Sequence, residues 1–247
     1  MKIAALYDIH GNYPALKAIS EQLVFMKPDL IVLGGDIVSG PMPLKTLGLI
    51  SKLKSKFKTI GILGNNDQDT IDAYSGKTLT LSERSQAQIE WVAERLTAKH
   101  ILELKKLPIN ATVGNYFFCH AVASDNMTIF TKHSKKTIIK SLFQGVKSPF
   151  IICGHTHLQF EINIDKQKII NAGSVGMPFS DQKGAQWLWI ENQKFDFKRT
   201  LINKDKAIKD IQTSNYPYVN EFIKKHVVNN VSLDEAYKML GHLIKKD

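Results

Sequence analysis

Cysteine is scarce: the chain has only Cys119 and Cys153 in 247 residues. Two thiols cannot make a disulfide scaffold, so a hydrophobic core has to hold the fold. Each directly precedes a polar segment, and both read as small buried residues at strand ends. Long apolar runs are missing as well. Leu30-Ile31-Val32-Leu33 and Phe150-Ile151-Ile152 are strand-length, far short of the ~18 residues that span a bilayer. The apolar stretch after Lys2 is too short for a signal peptide. A cytoplasmic protein with no membrane partner is expected. Basic runs interleaved with aromatics, as single-strand binders use, are also absent. The net charge is +10, but the lysines are dispersed, as in Lys52 to Lys58, Lys132 to Lys140 and Lys204 to Lys209. That distribution reads as solvated surface with a mild attraction for anions, not as a nucleic-acid partner.

What is present is ordinary globular composition, with 43% hydrophobic and 23% charged residues, which excludes a disordered chain. The length suits one α/β domain over residues 1–247. Residues 2–7 read as a buried strand. Leu16, Ile19, Leu23 and Met26 then recur at helical spacing behind Pro14, and residues 30–33 form a second strand. This is a β-α-β unit, which implies parallel strands. The pattern continues with a helix over 43–57 and a strand over 59–63. Residues 74–107 are largely helical, with Thr80-x-x-Glu83 as a capping box. Strands follow at 116–119, 150–153 and 168–170. Residues 186–190 and 194–198 form a hairpin around Asn192. From about residue 203 the chain is charged and helical, with Ser232-x-x-Glu235 as a second capping box.

Polar residues that can bind metal follow strand after strand: Asp8 and His10, Asp36, Asn65, His120, and His155 with His157. Each alone has an ordinary explanation as a turn, a cap or a structural histidine. Together they place five polar clusters beyond the carboxyl ends of five strands, where α/β sheets gather functional groups. Imidazole with carboxylate suits Mn²⁺, Fe, Zn²⁺, Co²⁺ or Ni²⁺ better than Mg²⁺ or Ca²⁺. With one bridging carboxylate, the seven side chains supply four contacts to each of two ions. Two divalent ions, two aspartates and a hydroxide leave a single positive charge, which favours a phosphate anion.

The segments Asp8-x-His10, Gly34-Gly35-Asp36, Gly64-Asn65-x-Asp67, His120 and Gly154-His155-Thr156-His157 resemble the calcineurin-like metallophosphoesterases in order and spacing. Asp8-Ile9-His10-Gly11-Asn12 and Asn171-Ala172-Gly173-Ser174-Val175-Gly176 are similar to the bacterial and archaeal small-phosphoesterase branch. The resemblance covers roughly residues 1–190. It implies a four-layer sandwich of two mixed β-sheets flanked by helices. It implies one metal on Asp8, His10, Asp36 and His157, and a second on Asp36, Asn65, His120 and His155, with Asp36 bridging. Mn²⁺ is the first choice for both. It further implies catalytic roles for Asp36, His120, Asn66 and Asp67, and substrate contacts from Asn65, Asn12 and His10. The implied reaction is attack by a bridging hydroxide on a small phosphorylated substrate, in a chain that can be a homo-oligomer.

One position departs from the common pattern. Many members read Gly-Asn-His-Asp or Gly-Asn-His-Glu, with a histidine that protonates the leaving group. This chain has Asn66 there, and an amide cannot deliver a proton near pH 7. Either another group protonates the leaving oxygen, or the substrate has a good leaving group; the expected activity is a phosphodiesterase or nucleotide-polyphosphate hydrolase. The alternatives are a phosphomonoesterase or phosphoprotein phosphatase, a nuclease, and a non-catalytic interaction scaffold such as one retromer subunit of the superfamily. Residues 66–110 are candidates for covering the site. Tyr13, Tyr74, Met177, Phe179 and the loop from Ser39 to Pro43 are candidates for shaping its entrance.

Overall fold

The computed structural model describes residues 1–243. Two five-stranded sheets carry the fold. The first contains β1 (Lys2–Leu6), β2 (Leu30–Leu33), β3 (Thr59–Gly61), β9 (Ala185–Glu191) and β10 (Lys194–Thr200), in the order β10-β9-β1-β2-β3. The second contains β4 (Asn110–Val113), β5 (Tyr116–Cys119), β6 (Phe150–Cys153), β7 (Gln159–Ile164) and β8 (Gln167–Ala172), in the order β4-β5-β6-β8-β7. Both are mixed. β1, β2 and β3 are parallel, as are β5, β6 and β8, while β9, β10, β4 and β7 pair antiparallel.

The continuous apolar runs of the central strands have a simple cause, since both faces of these strands are buried. Ile3 and Ala5 of β1 meet Phe118, Ile152 and Ile170 of the other sheet in a shared inner core. Ala4 and Leu6 point the other way, onto the helical layer with Leu16, Ile19 and Leu23 of α1 (Tyr13–Met26). On the far side, Phe117 and Ile151 pack with Ile139 of α6 (Lys136–Leu142). The result is the four-layer α/β sandwich that the resemblance implied. Tyr7 joins the layers, its hydroxyl donating to the Ile152 carbonyl at 3.0 Å.

Several elements differ from their sequence reading. The helix over 43–57 is α2 (Pro43–Lys54), followed by the short β3. Residues 74–107 are not one helical stretch. α3 (Asn65–Tyr74) already begins in the Gly-Asn-Asn-Asp segment and ends where the Ser75 N–H closes onto the preceding turn. Residues 75–82 are non-helical, and α4 (Glu83–Ala93) and α5 (Ala98–Lys105) follow separately. Ser82, not Thr80, caps α4, its side chain accepting from the Ser85 N–H at 3.3 Å. β4 and β7 were not legible as strands. They are antiparallel edge strands, and β7 buries only alternate residues.

The tail does not hang from the sandwich. α7 (Lys204–Gln212), α8 (Val219–Ile223) and a π-helical turn (Lys224–Val228) add Ile211, Phe222 and Val227 to the core outside the first sheet. α9 (Leu233–Leu243) adds Ala236 and Leu240 to the core outside the second. The Ser232–Glu235 capping box forms as read. Among the described residues no helix is long and apolar enough to cross a membrane.

Phe118 is fully buried between the sheets. Phe118→Ala is expected to cost about 3–5 kcal/mol, read as a lower urea midpoint at unchanged slope. A loss under about 1 kcal/mol would mean that the inner core does not join the sheets in this way.

Candidate metal centre

The loops after β1, β2, β5 and β6 meet at one edge of the two sheets. The first two are laced by backbone bonds, the His10 N–H donating to the Asp36 carbonyl at 2.7 Å and the Asp8 N–H to the Gly35 carbonyl at 3.2 Å. Asp8, His10, Asp36, His155 and His157 all have positive φ, between 47° and 67°. Side chains other than glycine rarely adopt that conformation, and its concentration at one place marks a constrained site. Two glycines allow the close approach. A Cβ on Gly64 would lie 2.1 Å from the Asp36 nitrogen, and one on Gly154 would lie 2.5 Å from Asp8 Oδ2.

The four histidines share one design. A backbone carbonyl takes one ring nitrogen of each: Ser39 O and His10 Nδ1 at 3.1 Å, Gly34 O and His120 Nδ1 at 2.8 Å, Met177 O and His157 Nδ1 at 2.9 Å, and Met127 O and His155 Nε2 at 3.0 Å. A carbonyl only accepts, so that nitrogen carries the proton and the other keeps a lone pair. His10 Nε2 and His157 Nε2 are then two acceptors 3.1 Å apart. Asp8 Oδ1 lies 3.4 Å from His157 Nε2 and 3.9 Å from both His10 Nε2 and His120 Nε2. Asp36 Oδ2 stands between His10 and His120, at 3.6 and 3.7 Å. Asn65 Oδ1 is 3.0 Å from His120 Nε2.

Acceptors facing acceptors without a proton between them are unfavourable unless a cation intervenes. Asp8 Oδ1 makes the same point, being buried with no hydrogen-bond partner among the described residues. Two groups of three are close enough to hold an ion, Asp8 with His10 and His157, and Asp8 with Asp36 and His120. Asp8 thus belongs to both by distance, while Asp36 lies centrally. Burial works to raise the Asp8 carboxyl, but the His157 and His120 imidazoles hold it below the usual carboxylate range. Burial and the nearby His120 push His155 down to about 4. The donor set therefore fits divalent transition metal.

Supporting groups fix these residues. Asn66 donates twice to Asp36, from its backbone N–H at 2.8 Å and from Nδ2 at 2.6 Å. Asp67 is fully buried, and its carboxylate accepts from the N–H groups of Ile37, Val38 and Gly64. Burial and the neighbouring Asp36 push it up to about 7. Asn12 caps α1 and donates to the Gly176 carbonyl at 2.8 Å. Asn171 donates to the Gly154 carbonyl at 2.6 Å and to Thr156 Oγ1 at 3.0 Å, holding the Gly-His-Thr-His loop.

A cleft of about 240 Å³ opens over the cradle. His10, Asp36, Ser39, Asn66, His155 and His157 line its floor, while Asp67 and Asn12 do not line it. Of the residues proposed to shape the entrance, Ser39 and Met177 reach it, and Tyr13, Tyr74 and Phe179 do not. The facing wall comes from α4 and the tail, through Arg84, Gln88, Tyr216 and His226 among others. The part of this wall from α4 falls within residues 66–110, the candidates for covering the site. The segment over the cleft was legible as helical, but neither the facing side of α4 nor the arrival of the tail was.

Outer hydrogen-bond partners of metal ligands typically tune affinity by ~10–100-fold. Asn171→Ala is expected to weaken Mn²⁺ binding by that factor, measured by competition with a chelator. Unchanged affinity would mean that the His155–His157 loop needs no such support.

Comparison with known proteins agrees with this architecture. The model of the calcineurin-like phosphoesterase superfamily domain matches residues 1–193. A hypothetical protein from Pyrococcus horikoshii OT3 superposes with a TM-score of 0.80 at 18% identity, covering 93% of this chain and 98% of the other. A metallophosphoesterase from Sphaerobacter thermophilus superposes with a TM-score of 0.73 at 23% identity, covering 91% and 97%. No curated protein matches the chain. With more than three quarters of the sequence matched, the chain belongs to the calcineurin-like phosphoesterase superfamily.

Proposed function

We propose that this chain is a phosphoester hydrolase that works with two divalent transition-metal ions, Mn²⁺ first among them, on a phosphodiester or nucleotide polyphosphate. The observation that carries the reading is the set of four imidazoles, each fixed through one nitrogen, with Nε2 of His10, His120 and His157 within 3.9 Å of Asp8 or Asp36. Asp8, His10, Asp36 and His157 would hold one ion, and Asp36, Asn65, His120 and His155 the other. The ions supply a water activated at neutral pH and positive charge opposite the phosphoryl oxygens.

The chain's own residues act around that chemistry. Hydrogen bonds to the floor residues hold these side chains in place, which organises their electrostatics in advance. Asn66 steadies Asp36 through both carboxylate oxygens and has no proton to give. General-acid assistance is typically worth ~10²–10⁴-fold, so a substrate matched to this site carries a leaving group of low basicity. Asp67 and Asn12 are positioning residues: the first fixes the loop after Asp36, the second the loop at Gly176. The tail belongs to the same working domain, because it forms one wall of the cleft.

Mn²⁺-loaded protein is expected to hydrolyse bis-p-nitrophenyl phosphate faster than p-nitrophenyl phosphate, and EDTA should abolish both rates. Asp36→Ala should lose metal content and turnover together. Near-normal turnover in that variant overturns the scheme, and bound metal without turnover of either ester points to a narrowly specific nucleotide substrate or to a non-catalytic scaffold. Asn66→His is expected to accelerate esters of poor leaving groups more than those of p-nitrophenol. Equal effects on both would remove position 66 from leaving-group chemistry.

A further inference from the structure

The wall opposite the metal cradle has its own organisation. α4 and the tail are joined there by three contacts. Arg84 pairs with Glu221, Gln88 Nε2 donates to the Pro217 carbonyl at 3.3 Å, and Trp91 meets Tyr216 edge-on at 5.2 Å. The Arg84 guanidinium also lies over the Tyr218 ring, 5.1 Å from its centre. Glu221 is shared, since Lys225 reaches it at 2.8 Å. Two cations therefore face one carboxylate, and the group keeps a net positive charge beside the cleft.

His226 lies next to this group, in the π-helical turn, a deformation frequently found at functional sites. It lines the cleft, and its Nδ1 is buried with no hydrogen-bond partner among the described residues. A buried polar atom of this kind calls for a ligand. Ser85 and Gln88 add further polar groups to the same wall, and among the described residues the only carboxylate lining the cleft is Asp36 on the floor.

We propose that this wall seats a second phosphoryl group, making Arg84 and His226 specificity-determining residues and the substrate a phosphoric anhydride such as a nucleoside diphosphate or polyphosphate. The inference rests on the hydrolase reading above. The scissile phosphorus lies over the cradle and the leaving phosphate faces Arg84. The oxygen of water bonds to the scissile phosphorus, and the bond from that phosphorus to the bridging oxygen breaks. The electron pair stays on the leaving phosphate, and the displaced proton goes to solvent. Such a group departs as a stable anion, which suits a site whose Asn66 has no proton to deliver.

The test is calorimetric binding of two probes to the Mn²⁺-loaded protein at excess metal: adenosine monophosphate and the non-hydrolysable α,β-methylene analogue of adenosine diphosphate. The parent protein is expected to prefer the analogue. A charge-assisted hydrogen bond supports an expected fall in that preference of roughly tenfold or more in Arg84→Gln. His226→Ala should lower it as well. Glu221→Gln discriminates between roles, because it breaks the same ion pair but frees the guanidinium. If Arg84 serves the ligand, Glu221→Gln raises affinity for the analogue. If Arg84 only anchors the tail, both variants weaken it, and the proposal is overturned. It also falls if the parent shows no preference, or if Arg84→Gln weakens both probes equally. A parent that binds neither metal nor adenosine monophosphate overturns the hydrolase reading and this inference with it. Metal-dependent binding without preference overturns this inference alone. Should Arg84→Gln fail to fold, the His226→Ala and Glu221→Gln pair decides the matter.

Discussion

The buried carboxylate of Asp8 is the point at which both sheets are tied together. Its Oδ2 accepts from the His155 N–H at 2.9 Å, joining the end of β1 to the loop after β6. Its backbone carbonyl accepts from Ser174 Oγ and the Gly176 N–H, which brings in the loop after β8. Its Oδ1 is left to face three imidazoles without a hydrogen-bond partner. Burying an ionised carboxylate is costly unless charge compensates it. The surrounding architecture follows from that constraint. Residues on five strand ends have to converge, glycines have to clear space, and five side chains have to sit on left-handed backbone.

Left-handed positions of this kind typically cost ~1–3 kcal/mol each and persist only where neighbours over-determine them. Here the neighbours are identifiable. Asn66 and Asp67 secure the loop after β2, Asn171 the loop after β6, and Ser174 and Asn12 the closing loop. Of these, Asn12, Asp67, Asn171 and Ser174 are buried and support a geometry, while Asn66 also faces the cleft. The outer partners of metal ligands serve this purpose in general, fixing ring orientation and tautomer.

The tail extends the same logic to recognition. It crosses from the helical layer of the first sheet to that of the second, and on the way it faces the cradle. A sandwich of this family needs only its strand-end loops to make a metal site. The added helices turn that open edge into a cleft with a distinct second wall. That wall is built by α4 and the tail, outside the segments that form the cradle.

Local sequence determined the ligand types, their order and their place after strands. Strand periodicity and flanking glycines are readable over a few residues, so Asp8, Asp36, Asn65, His120, His155 and His157 could be found without coordinates. The hairpin around Asn192 was legible for the same reason, and its turn residues Asn192 and Gln193 both take positive φ. Tertiary structure alone decided what depends on distant segments meeting. Edge strands β4 and β7 gain their identity from pairing, not from a strong pattern of their own. The roles of Asn12 and Asp67 as loop supports, the shared position of Asp8, and the meeting of Arg84 with Glu221 all arise from packing across long stretches of chain. No local periodicity encodes such contacts.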